Sequence, residues 1–129
     1  MTGGLHHVEL WVPDVAGAAG PWGWLLGELG WVEFQEWPAG RSWRHDGVYL
    51  VLEQSPALSG PVHDRTAPGL NHLAFTVPDT AEVDRLWAAA PGHGWTHLFA
   101  DRYPHAGGPD NYAAHLSDPW GYEAELTTP

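Results

Sequence analysis

Apolar and polar residues alternate over residues 5–12, with Val8, Leu10 and Val12 on one side and His7, Glu9 and Trp11 on the other. A period of two marks a half-buried strand, and Pro13-Asp14 ends it. Trp22, Leu25, Leu26 and Leu29 then recur at helical spacing within residues 15–29. Pro21 and four glycines (Gly17, Gly20, Gly23, Gly27) weaken that helix, so an irregular first turn is expected, with Pro21 near the start of the better-formed part. Strands are predicted at 31–37, 42–45 and 48–54, separated by turns at Gly40 and Asp46-Gly47. The same order then returns: a strand at 70–77, a helix capped by Asp79-Thr80 and running to about Ala90, and a strand at 96–101. A loop rich in glycine and proline covers 103–110, and strands at 111–116 and 122–127 flank the turn Asp118-Pro119-Trp120-Gly121.

The recurrence is visible letter by letter. LHHVELWVPD at 5–14 matches LNHLAFTVPD at 70–79 with a constant offset of 65 residues. His7 meets His72, Leu10 meets Phe75, Val12 meets Val77, Pro13 meets Pro78 and Asp14 meets Asp79. Strand-plus-turn signals can coincide by chance, but here the order of elements after each copy also agrees. A long-period repeat means two copies of one supersecondary unit. The expected fold is α+β, two βαβββ modules in one 129-residue domain. Module one spans about 5–55, module two about 70–129, and the segment 55–69, with its prolines and glycines, reads as a linker.

Charge narrows the possible partners. The chain has 16 acidic residues, five arginines, no lysine and a formal net charge of −11, which argues against a nucleic-acid or anionic-membrane partner. No apolar run approaches the length of a membrane span, and the N-terminus lacks the blocks of a signal peptide, so a cytoplasmic protein is expected. Absence of cysteine removes disulfide and thiolate chemistry.

Strand parity puts a histidine of each repeat, His7 and His72, on the face that does not pack on its own helix. Glu53 shares parity with Tyr49 and Val51, and Glu125 shares a face with Glu123. Two histidines and two carboxylates, taken as matching places in the two repeats, suggest one site for a divalent ion such as Zn²⁺, Ni²⁺, Co²⁺, Mn²⁺ or Fe²⁺. Each residue alone would more often be an ordinary hydrogen-bonded or solvated side chain.

The segments HHVELWVPD (6–14), WGWLLGELGW (22–31), YLVLEQ (49–54), GLNHLAFTVPD (69–79) and DPWGYEAEL (118–126) resemble the vicinal oxygen chelate superfamily, the glyoxalase/bleomycin-resistance/dioxygenase group. The resemblance covers nearly the whole chain and implies curled sheets around a metal-centred cavity, with ligands at His7, Glu53, His72 and Glu125. Strand alternation turns His6 away from His7, and the family pattern disfavours Glu123. Retention of two histidines and two glutamates resembles the glyoxalase I set. That resemblance implies a metal-dependent lyase or isomerase acting on a small oxygenated compound through a metal-stabilised enediolate. Glu125, or alternatively Glu53, would double as ligand and catalytic base. Two other functions stay open: sequestration of a planar natural product, as in bleomycin-resistance members, and ring cleavage by a dioxygenase. The family implies a homodimer. Candidate substrate contacts are Trp11 on the His7 face, together with Arg102, Tyr103, His105 and Tyr112 in or beside the 103–110 loop, which could serve as a lid or be an ordinary hairpin loop.

Overall fold

A computed structural model describes residues 2–129. It divides into two compact units, one reaching to Val62 and the other spanning His63–Pro129. The first unit contains β1 (His7–Trp11), α1 (Val15–Glu28), β2 (Val32–Trp37), β3 (Gly40–His45) and β4 (Val48–Glu53). Its sheet has the order β1-β4-β3-β2, with β1 parallel to β4 and the other neighbours antiparallel. The second unit contains β5 (His72–Thr76), α2 (Thr80–Ala89), β6 (Thr96–Leu98), β7 (Ala113–Ser117) and β8 (Glu123–Thr127). Its order, β5-β8-β7-β6, has the same pattern of directions. The α+β, twice-βαβββ architecture expected from the repeat is therefore present, as two four-stranded mixed sheets each carrying a helix.

Each helix starts where the Pro-Asp signal predicts. Asp14 caps α1 by accepting from the Gly17 amide at 3.1 Å, and Asp79 caps α2 by accepting from the Glu82 amide at 2.9 Å. The first turn of α1 is regular, contrary to expectation, and the helix runs through Pro21. Packing outweighs the missing hydrogen bond: Trp22, Leu25 and Leu26 are fully buried, together with Leu50 and Leu52 of β4. Leu86 and Val83 of α2 pack in the same way, in a core that includes Leu116 and Leu126.

The segment expected as a linker is divided between the units. His63 and Arg65 belong to the second. His63 stacks on Tyr122 with ring centroids 4.3 Å apart, its Nε2 lies 2.8 Å from the Leu70 carbonyl, and its amide donates to the Trp120 carbonyl at 2.8 Å. The predicted strand at 96–101 ends at Leu98, because Phe99 adopts a left-handed conformation with φ 55°.

Candidate functional site

In the second unit, register brings four titratable side chains onto one face. β5 and β8 pair His72 with Glu123 and Ala74 with Glu125. β7 and β8 pair Ser117 with Glu123 and His115 with Glu125. Directly paired residues project to the same side, so His72, His115, Glu123 and Glu125 share a face, opposite the one that carries Leu116 and Leu126. His72 Nε2 lies 3.3 Å from Glu125 Oε1. His115 Nδ1 lies 3.0 Å from Glu123 Oε2 and 3.9 Å from Glu125 Oε1. Arg65 approaches Glu123 Oε1 at 3.3 Å. His115 and Glu123 are buried, and His115 Nε2 has no hydrogen-bond partner. Glu123, disfavoured by the resemblance, is thus the residue that anchors His115 and Arg65. His115, which is not among the candidates drawn from the sequence, is the centre of the cluster.

The hydrogen bonding of His72 bears on a metal. Asn71 Oδ1 lies 2.7 Å from His72 Nδ1, and an amide oxygen can only accept. In the neutral ring this leaves the Nε2 lone pair facing a carboxylate oxygen. Two acceptors at that distance need a proton or a cation between them. Ligand bonds of about 2.1 Å at angles of about 90–109° place neighbouring donor atoms about 3.0–3.4 Å apart, so the His72–Glu125 spacing suits two adjacent ligands of one ion. Among the described residues no group of three or more histidine or acidic side chains converges on a metal position.

In the first unit, β1 pairs with β4 as His7 with Tyr49, Glu9 with Val51 and Trp11 with Glu53. Val51, not Glu53, therefore occupies the place that Glu125 holds in the second repeat, and Glu53 matches Thr127. This corrects the expected equivalence of the two glutamates. Glu53 stands four residues further along the strand direction than His7, about 13 Å at the rise of a strand. Its row across the sheet is Trp11, Glu53, Gly40, Trp37. The Trp37 indole lies over Gly40, where any Cβ would collide with it, and its Nε1 comes within 3.4 Å of Glu53 Oε1. Trp11 is exposed and donates from Nε1 to Glu9 at 2.6 Å. His6, expected to turn away, precedes the strand. Its ring lies edge-on to both His7 and Tyr49, each at 5.1 Å between centroids.

The 103–110 loop is tied to α2. The hydroxyls of Tyr103 and Tyr112 both donate to Asp84 Oδ1, the second at 2.7 Å. These bonds, Tyr103's first, hold the Asp84 carboxyl below the usual aspartate range. Burial, then Asp84, raises the Tyr103 hydroxyl above the usual tyrosine value, and the bond to Asp84 raises that of Tyr112. Trp87 of α2 stacks between His97, at 3.5 Å, and Tyr103, at 4.1 Å. The polar ends of both tyrosines are thus engaged by the helix, which favours the ordinary-loop reading for them over the lid. His105 Nδ1 lies 2.9 Å from the Asn111 carbonyl, and its ring stands edge-on to Tyr112. Arg102 differs: its guanidinium lies over the Phe99 ring, 4.9 Å from the centroid.

Residues 6–115 match the glyoxalase/bleomycin resistance protein/dioxygenase superfamily. An uncharacterized protein of Bacillus subtilis, YqjT, is 41% identical over 127 residues, 97% of this chain and 98% of its own. The crystal structure of a candidate glyoxalase from Bacillus halodurans superposes with a TM-score of 0.93 at 40% identity, covering 98% of this chain and 96% of that one. A glyoxalase/bleomycin resistance protein from Albidiferax ferrireducens shares the fold, with a TM-score of 0.77 at 21% identity over 97% and 98% of the two chains. With the repeated βαβββ order, these similarities establish that the chain belongs to the glyoxalase/bleomycin resistance protein/dioxygenase superfamily.

Proposed function

We propose that the protein is a divalent-metal-dependent, glyoxalase-like lyase or isomerase acting on a small substrate with two neighbouring oxygens. The observation that carries the reading is the His72–Glu125 pair, 3.3 Å apart with the imidazole held by Asn71. A divalent ion bound there would polarise the substrate's oxygens and acidify the adjacent C–H. Glu125 would take that proton on a carboxylate oxygen and return it to the neighbouring carbon. His115 and Glu123, packed behind Glu125, would fix its orientation and keep bulk water from that side. In the first repeat, His7 has the same register as His72 and keeps its assignment as a candidate metal ligand on that ground alone. Glu53, framed by Trp11 and Trp37, is assigned to ligand contact. The same two indoles favour a second reading, in which the face holds a planar compound without turning it over.

Calorimetry with Zn²⁺, Ni²⁺ and Co²⁺ on chelator-treated protein tests the assignment. The wild type should bind one ion per chain. His72→Ala should weaken binding about tenfold or more, in line with losses on disturbing metal sites, and Glu125→Gln should weaken it less, since a carboxamide still offers an oxygen. His7→Ala should also weaken it. Wild-type affinity in His72→Ala would refute the metal reading and leave the sequestering one.

A further inference from the structure

Phe99 combines three features that the proposed chemistry does not use. Its backbone is left-handed, φ 55° and ψ 37°, at the N-terminus of a 3₁₀ turn over Ala100–Arg102. That conformation is unfavourable for a residue with a Cβ and persists only where the surroundings enforce it. Its ring meets His115 edge-on, with centroids 5.5 Å apart. The same ring carries two guanidinium groups, Arg102 at 4.9 Å and Arg65 at 5.5 Å. In a chain with five cationic side chains against 16 acidic ones, two of the five meet on one ring beside the Glu125 cluster.

The two arginines are not equivalent. Arg65 is half-buried and engaged by Glu123. Arg102 is exposed and has no carboxylate within ion-pair distance among the described residues. A guanidinium held over an aromatic face by its charge keeps N–H donors free for another partner, and the planar fork can grip a carboxylate through two parallel hydrogen bonds. Glu123 and Glu125 are joined to Phe99 through His115, which meets the ring edge-on and approaches both carboxylates. One unpaired positive charge next to two carboxylates balances a single negative charge better than a double one.

We propose that Arg102, seated on Phe99, binds the carboxylate of a small monoanionic 2-oxo or 2-hydroxy acid, whose neighbouring oxygens would face His72 and Glu125. The left-handed turn at Phe99 brings the ring to Arg102, and Arg65, held by Glu123, also contacts the ring. Any chemistry on the bound acid rests on the proposed function, but the carboxylate contact itself does not need the metal.

The test uses full-length, chelator-treated protein and pyruvate as the probe, monitored by the NMR shifts of aromatic side chains. Pyruvate should bind saturably and shift the Phe99 and His115 ring signals. Acetone, its uncharged counterpart in size, should do neither. Arg102→Gln should weaken pyruvate binding about tenfold or more, since it removes charge-assisted hydrogen bonds to the carboxylate. Arg102→Lys should fall between, because it keeps the charge and loses the fork. Arg85→Gln, which removes an exposed arginine engaged by Glu82 on α2, should bind like the wild type. Equal weakening in Arg85→Gln would show a general charge effect and overturn the site. Inorganic phosphate binding as tightly as pyruvate would overturn the carboxylate assignment. Undiminished pyruvate binding in Arg102→Gln would overturn the role of Arg102. Because the protein is stripped of metal, failure here is separate from failure of the metal titration.

Discussion

Gly121→Ala probes the turn that delivers Glu123 and Glu125 to the sheet. Asp118 Oδ1 accepts from the amides of Trp120, at 2.9 Å, and Tyr122, at 2.8 Å, and the His63 amide reaches the Trp120 carbonyl. Gly121 sits inside this knot with φ 95°, and a Cβ built there would approach the His63 carbonyl oxygen inside 3.0 Å. The substitution carries two costs. The left-handed backbone costs alanine about 1–2 kcal/mol. The collision is with backbone, not with the end of a flexible side chain, and relieving it by moving the chain adds about 1–3 kcal/mol.

Gly47→Ala separates the two costs. Gly47 also has a positive φ, 81°, but nothing lies within 4 Å of its Cβ position, so it should lose the conformational part alone. Urea unfolding of both variants reads the difference, each referred to the wild-type transition of the unit that carries it. Gly121→Ala should lose about 2–5 kcal/mol in total, and its pyruvate affinity should fall with it, because the start of β8 must shift. Losses in the two variants that agree within about 0.5 kcal/mol would refute the claim that His63 closes on the turn.

The Asp84 tether should give the 103–110 loop a two-sided pH response. A carboxyl held low contributes above its ordinary value near 3.8, and that contribution disappears as pH falls through the folded value. Tyrosines held high contribute below about 10 and lose that contribution as pH rises through their folded values. Amide-exchange protection in the loop should therefore decline at both ends, and Asp84→Asn should abolish the acid limb; an unchanged acid limb would place its origin elsewhere. Light scattering at micromolar concentration should return about twice the 14.1 kDa chain mass, and a mass of one chain would refute the homodimer expected of this family.

What the sequence could disclose depended on which forces act locally. Alternation and the Pro-Asp stops are local, so the repeat, the strand faces and both helix caps were legible from residue order. The correspondence between Glu53 and Glu125 was not. It depends on how β4 slides against β1 and β8 against β5, and parity is unchanged by a slip of two residues. Both glutamates lie on the expected face, yet one opposes Trp11 and the other Ala74. His115 was hidden for a related reason: between Ala114 and Leu116 it reads as one more core position. Only the pairing of β7 with β8 shows that it shares the side of Glu125. Phe99 had no signal at all, since a left-handed turn is announced by glycine, asparagine or aspartate and not by an aromatic residue. The features least visible in the letters, a two-residue offset, a buried histidine and a strained phenylalanine, are those by which the two halves differ. A sequence repeat reports what the halves share, and the asymmetry gives His115, Glu123 and Glu125 to the second repeat while the first holds Ser42, Tyr49 and Val51 in their places. Polar chemistry is thus concentrated on one sheet, and substitutions on the second face should alter binding more than their counterparts on the first.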